Sequence, residues 1–158
     1  MNHAADESGR VIRFELAAPT MLLNQTLRMH WRVAVKHKRA LAWEVKLAMG
    51  RHIPPSPFAR AHVRIERHSI GQPDYDGLVG GLKWLIDCLL PRSTAHPTGL
   101  AIIADDNPDA MTLEAISIKA KRRTDQKTIV IIREITNDDN PAGIPPKQIP
   151  IKRSLDPD

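Results

Sequence analysis

Ala61-His-Val-Arg-Ile-Glu-Arg67 alternates apolar with polar side chains, and further along Leu78-Val-Gly-Gly-Leu-Lys-Trp-Leu-Ile-Asp-Cys-Leu-Leu90 sets Leu78, Leu82, Leu85, Ile86 and Leu89 on one stripe. The first period is that of a half-buried strand and the second that of a helix buried on one side. Between them Gly71 to Gly77 is rich in turn formers, with Pro73, Asp74 and Asp76, and Pro91 ends the helix. A strand feeding a helix predicts a mixed α and β architecture.

Outward from this unit the pattern repeats. Val11-Ile-Arg-Phe-Glu-Leu16 alternates as another strand, closed by Pro19, and residues 20–30 read as a loop holding Asn24, Arg28 and His30. Trp31 to Met49 has a helical period, with Trp31, Ala34, Val35, Lys38, Leu41, Ala42, Val45, Ala48 and Met49 on the face expected to be buried. Gly50 is its stop, and Arg32, Lys36, Arg39, Trp43 and Lys46 occupy the opposite face. Leu100-Ala-Ile-Ile-Ala104 reads as a short buried strand. Met111 to Ala120 and Thr128 to Ile135 read as two more, and the basic turn Lys121-Arg-Arg-Thr-Asp125 between them predicts a hairpin. The expected fold is therefore α/β (α+β): one domain over 11–136, with a small mixed sheet flanked by two main helices. Residues 1–10 are expected to be flexible. Residues 137–158, with five prolines in 22 residues, are expected to be a disordered tail.

Composition narrows the function classes. With 158 residues, 42% hydrophobic and 26% charged, the chain suits one globular domain. The single Cys88 excludes an intrachain disulfide and a cysteine-rich zinc site. Lys83 and Asp87 interrupt the longest apolar run, so no membrane span is expected; the polar first ten residues suggest no signal peptide and a cytoplasmic location. No Gly-rich phosphate loop and no serine elbow occur, and His62 and His68 lack the partners of a zinc site.

The net charge of +5 is unevenly spread. Residues 1–70 carry 12 basic and 5 acidic side chains, residues 71–110 carry 2 and 6, and residues 111–158 carry 9 and 7. An acidic centre between basic flanks suits a divalent cation held where a phosphate backbone docks. In extended backbone Asp74 and Asp76 point the same way and form a pair of hard oxygen donors. Asp105 and Asp106 follow an apolar run that would fix their place. Each pair also has a structural reading: Asp76 as a helix cap with Asp74 a solvated turn residue, and Asp105-Asp106-Asn107-Pro108 as an ordinary turn. Three acids meeting in one place would need a cation or a proton to relieve them. The expectation is that Asp74, Asp76 and Asp106 converge on a metal, with Asp105 as a further candidate ligand. Lys83 would stabilise charge on the phosphate, unless it only pairs with Asp87. Arg32, Lys36, Arg39 and Lys46 can track phosphates, and Trp43 can stack on a base or sugar. Lys121, Arg122 and Arg123 form a second basic cluster.

Taken in order, Asp74-Tyr-Asp76, Leu82-Lys83-Trp-Leu-Ile-Asp87 and Ile102-Ile-Ala-Asp105-Asp106 resemble the RusA family of Holliday-junction resolvases, common in phages and prophages. Leu23-Asn24 to Arg28-Met-His30-Trp31 is similar to that family's N-terminal loop, so the resemblance spans roughly residues 11–135. It implies a homodimer that binds branched DNA, specifically four-way junctions, and cuts symmetric strands with Mg²⁺, Mn²⁺ being an alternative ion. By position Asp74, Asp76 and Asp106 match the family's metal-binding aspartates. Lys83 matches its catalytic lysine with an offset of three residues, and Gly77 stands where many members have Asn. Arg28 joins the basic residues expected to touch DNA. The alternative expectation is a non-catalytic nucleic-acid-binding module.

Overall fold

The computed structural model describes residues 9–136; the expected flexible start up to residue 8 and the proline-rich tail from 137 lie outside the described residues. Strand β1 (Val11–Leu16) buries Ile12, Phe14 and Leu16 and exposes the residues between them. Strand β2 (Ala61–Ser69) buries every second residue, from Ala61 through Arg67 to Ser69. Both confirm the alternation. Four strands form one mixed sheet in the order β1-β4-β2-β3, where β3 is Met111–Lys119 and β4 is Lys127–Glu134.

The predicted hairpin does not form. β3 runs parallel to β2, from Ala61 opposite Met111 to Ser69 opposite Lys119, while β4 lies antiparallel between β1 and β2. The reason is burial. Thr128, Ile129, Val130 and Ile132 of β4 are buried, which suits a central strand with two neighbours. β3 is only half-buried along its length, which suits an edge.

The helices also depart from the sequence reading. The expected loop at 20–30 contains a short helix α1 (Leu23–Leu27), followed by α2 (Trp31–Met49) as expected. The helix expected over 78–90 starts earlier and is broken in two, α3 (Tyr75–Gly81) and α4 (Lys83–Leu89), with Leu82 between them. Leu100 to Ala104 is not a strand. Its N–H groups instead fill the carbonyls that the end of α4 leaves unpaired: Leu100 donates to Cys88, Ala101 to Leu90, and Ile102 and Ile103 to Leu89. Ala101 takes a positive φ of 57° to make this reversal, and Ile103 keeps only an isolated bridge to Phe58.

Val45 and Met49 of α2, Leu85 and Leu89 of α4, and Phe14, Val63, Ile65, Val130 and Ile132 of the sheet share one core cluster. The buried face of α2 is shorter than expected. Ala42, Val45 and Met49 are buried, but no residue of 31–40 is, and Trp31 and Val35 face solvent. The helix is about 28 Å long, whereas the six-residue β1 beneath it spans about 20 Å. Among the described residues no helix is long and apolar enough to cross a membrane.

Two features of this packing are testable. A Cβ at Gly81 would collide with the Met21 carbonyl and the Leu22 backbone. Gly81→Ala should therefore lower stability by about 1–3 kcal/mol, the usual cost of overpacking, read as a fall in the thermal midpoint. On the open sheet face, Arg64 and His68 both reach Glu66, at 2.9 Å and 3.3 Å. Burial raises the Glu66 pKa, but these hydrogen bonds outweigh it and the net shift is downward. A depressed carboxylate stabilises the fold above its unfolded pKa of about 4.3, and that contribution is lost as pH falls through the folded value. Glu66→Gln should flatten the acid limb of stability below about pH 4, measured as urea midpoints across pH.

Candidate metal and DNA site

Asp74 sits in extended backbone just before α3, and its Oδ1 accepts the Gly77 N–H at 3.2 Å. Asp74, rather than Asp76, is the helix cap. Asp76 stands in the first helical turn, so the two do not share one extended segment as expected. They still line one pocket of about 390 Å³, together with Asn24 and Leu27 of α1 and Leu22 before it. Both are exposed, and neither pairs with a cation among the described residues.

The other wall of this pocket is held in place from below. The Thr128 side chain accepts the Thr20 N–H at 3.0 Å and donates to the Ala18 carbonyl at 2.9 Å. Arg67 Nε donates to the Thr20 carbonyl at 2.8 Å, and its guanidinium also bonds Ser69. Arg67 is buried with no carboxylate partner among the described residues, and burial lowers its pKa from the ordinary arginine value. Segment 18–22 is thus clamped over the end of the sheet, and α1 follows it onto α3. Gly80 lets Leu23 approach closely there. The sequence reading missed Arg67, although strand alternation already placed it on the apolar side of β2. It also missed Leu22 and Leu27, which it had no signal to place.

Asp105 and Asp106 lie at the opposite end of the sheet. Ala104 bonds Phe58, and Ala110 bonds Ala61 at the beginning of β2, whereas Asp74 follows the far end of β2. Nine residues of strand separate the two places, about 30 Å at 3.3 Å per residue. Among the described residues no three His, Cys, Asp or Glu groups come together closely enough to hold a metal ion. The expected convergence of Asp74, Asp76 and Asp106 therefore does not occur within one chain. The cause is topological: a parallel strand pair requires the helices between its strands to carry the chain back to the starting end. Locally Asp105 forms a turn, its Oδ1 accepting the Asp106 N–H and its Oδ2 the Asn107 amide, both at 2.7 Å. The Asp106 backbone bond, helped by the Asn107 side chain, holds the Asp105 carboxyl below the usual carboxylate range.

Lys83 pairs with Asp87 at 3.2 Å, yet its side chain is 68% exposed and can leave that partner. Arg28, Arg32, Lys36, Arg39 and Lys46 are all exposed, as are Lys121, Arg122 and Arg123. Residues 121–123 follow the end of β3 that pairs with Ser69, so they occupy the same end of the sheet as Asp74 and Asp76. Arg28 and the start of α2 lie there too, because β1 runs in the same direction as β2 and leads into them. Arg32 lies 5.2 Å from the Trp31 ring and Lys46 5.8 Å from the Trp43 ring. Cys88 is a core residue: burial pushes its thiol up to about 11. Comparison with protein-family models, curated proteins and solved structures finds no match for this chain.

The capping role of Asp74 is tested by substitution. Asp74→Ala removes the cap and should lower stability by about 1 kcal/mol, whereas Asp74→Asn keeps an equivalent acceptor and should stay close to the parent. Urea unfolding of the three proteins measures this.

Proposed function

We propose that the chain is a Mg²⁺-dependent, structure-selective DNA endonuclease that works as a homodimer and resolves four-way junctions by paired nicks. One observation carries the proposal: the exposed, cation-free Asp74 and Asp76 share a pocket at the same sheet end as Arg28, the start of α2 and the 121–123 cluster. A carboxylate pair within a basic surround suits a hard cation and the phosphate backbone it would meet. Two carboxylates alone leave much of a cation's shell to water and phosphate. Asp105 and Asp106 would supply further oxygens if two copies paired antiparallel, an arrangement in which a two-fold axis repeats any contact between one copy's 105–106 turn and the other's 74–76 turn. Bound there, Mg²⁺ would activate a water and polarise the phosphoryl oxygen. Asp74 and Asp76 would orient the ion, Lys83 would swing from Asp87 to meet charge on the phosphate, and the basic residues would hold the DNA.

A second reading is favoured by the separation of the acids: a non-catalytic nucleic-acid-binding module in which Asp74 only caps α3. A gel assay with labelled four-way junction, with and without Mg²⁺, divides the two. Asp76→Asn is expected to bind junctions with undiminished affinity and to cut them at least a hundredfold more slowly than the parent; full-rate cutting by this variant would refute the assignment. Mixing Asp76→Asn with Asp106→Asn rebuilds one intact site per heterodimer, so nicking should return on mixing. Two inactive variants that stay inactive together would refute the site shared between copies, and a parent that never nicks would leave the binding module.

A further inference from the structure

The first half of α2 is packed only lightly, with Ala34 and Lys38 half-buried and Lys38 lying 5.3 Å from the Trp84 ring. No side chain of 31–40 is buried, and Trp31, at the start of the helix, is 64% exposed. Leu27, the last residue of α1, is 74% exposed. From Leu16 to Trp43 the chain has no carboxylate, but it carries Arg28, Arg32, Lys36, Lys38 and Arg39. An apolar tip set among cations repels a second copy of itself and attracts a polyanion. The tip also adjoins the acid pocket, since Leu27 lines that pocket with Asp74 and Asp76.

We propose that this projecting end of α2 is a wedge for branched DNA. Trp31, with Leu27 beside it, stacks on the unpaired or unstacked bases at the branch point, and Arg28, Arg32 and Lys36 hold the flanking phosphates. Apolar side chains entering a weakened base step are an established way to read DNA deformability, and a branch has already lost the stacking that a wedge must otherwise break. The position of Leu27 then sets the strand at the acid pocket within a few nucleotides of the branch. The wedge rests on the DNA-binding part of the proposed function and not on cleavage.

The test compares the full chain with Trp31→Ala, Trp31→Phe and Leu47→Ala, titrated against a four-way junction and a linear duplex of the same sequence in Ca²⁺. Permanganate reactivity of a thymine at the branch is read in parallel. Trp31→Ala should lose about tenfold in junction affinity, the size of one base–aromatic stack, with duplex affinity unchanged and the branch thymine returned to its reactivity in free DNA. Trp31→Phe should keep most of the preference, and Leu47→Ala, at an exposed apolar position of the same helix, should keep all of it. An unchanged junction-to-duplex ratio in Trp31→Ala overturns the wedge. So does a parent with no preference for the junction, or a Trp31→Ala that changes from dimer to monomer in sedimentation while both affinities fall together. A wedge phenotype in a chain that never nicks with Mg²⁺ defeats the endonuclease reading alone; nicking with an unchanged ratio defeats the wedge alone.

Discussion

The parallel pairing of β2 with β3 governs the rest of this molecule. Once those strands run the same way, α3 and α4 must carry the chain from the end of one to the beginning of the other. The turn that leads into α3 then stands at one end of the sheet and the turn that follows α4 and leads into β3 at the other. The two acid pairs stand on opposite sides of that crossover. No rotamer change or loop adjustment bridges about 30 Å, so the placement of Asp74 and Asp76 against Asp105 and Asp106 is a property of the topology.

The same topology explains why one end is basic and receptive. β1 and β2 point the same way, so the segments that leave them, 17–30 and 70–74, emerge together, and the turn after β3 joins them. Left alone, segment 18–22 would have its backbone polar groups unsatisfied against the sheet. Thr128 and Arg67 satisfy three of them, the Ala18 carbonyl and the N–H and carbonyl of Thr20. Burying a guanidinium without a counter-charge is unfavourable, and its hydrogen bonds to the Thr20 carbonyl and Ser69 offset part of that cost. The result is a fixed strap that sets α1 on α3 and leads into α2.

Much of this was legible along the chain, and the limits have physical causes. Period-two alternation located β1 and β2, and the 3.6-residue period located α2, because those signals are local. Pairing is not local. Met111–Lys119 and Lys127–Glu134 were recognisable as strands, but their closeness in sequence suggested a hairpin where burial makes β4 central. The apolar run 100–104 looked like a strand because it is buried, although its N–H groups serve the end of α4 instead. Trp31 and Val35 fit an apolar stripe that the six-residue β1 is too short to cover. At the site, Asp74 and Asp76 were read together and do share a pocket, by way of a cap and a first turn; the link to Asp106 required knowing the direction of β3, which no spacing encodes.

Separating the acid pairs also has an energetic logic. Three or four carboxylates gathered inside one chain repel one another, and the fold would then depend on a cation or a bound proton to offset them. Placed at opposite ends, each pair remains solvated, Asp74 stabilises α3 as its cap, and Asp105 stabilises its own turn. Under this arrangement no carboxylate cluster among the described residues of one chain calls for a cation to offset it. In the proposed dimer the repulsion arises only when a second copy docks, where a divalent ion can relieve it at once. Association and ion binding would then favour one another, because each lowers the electrostatic cost of the other.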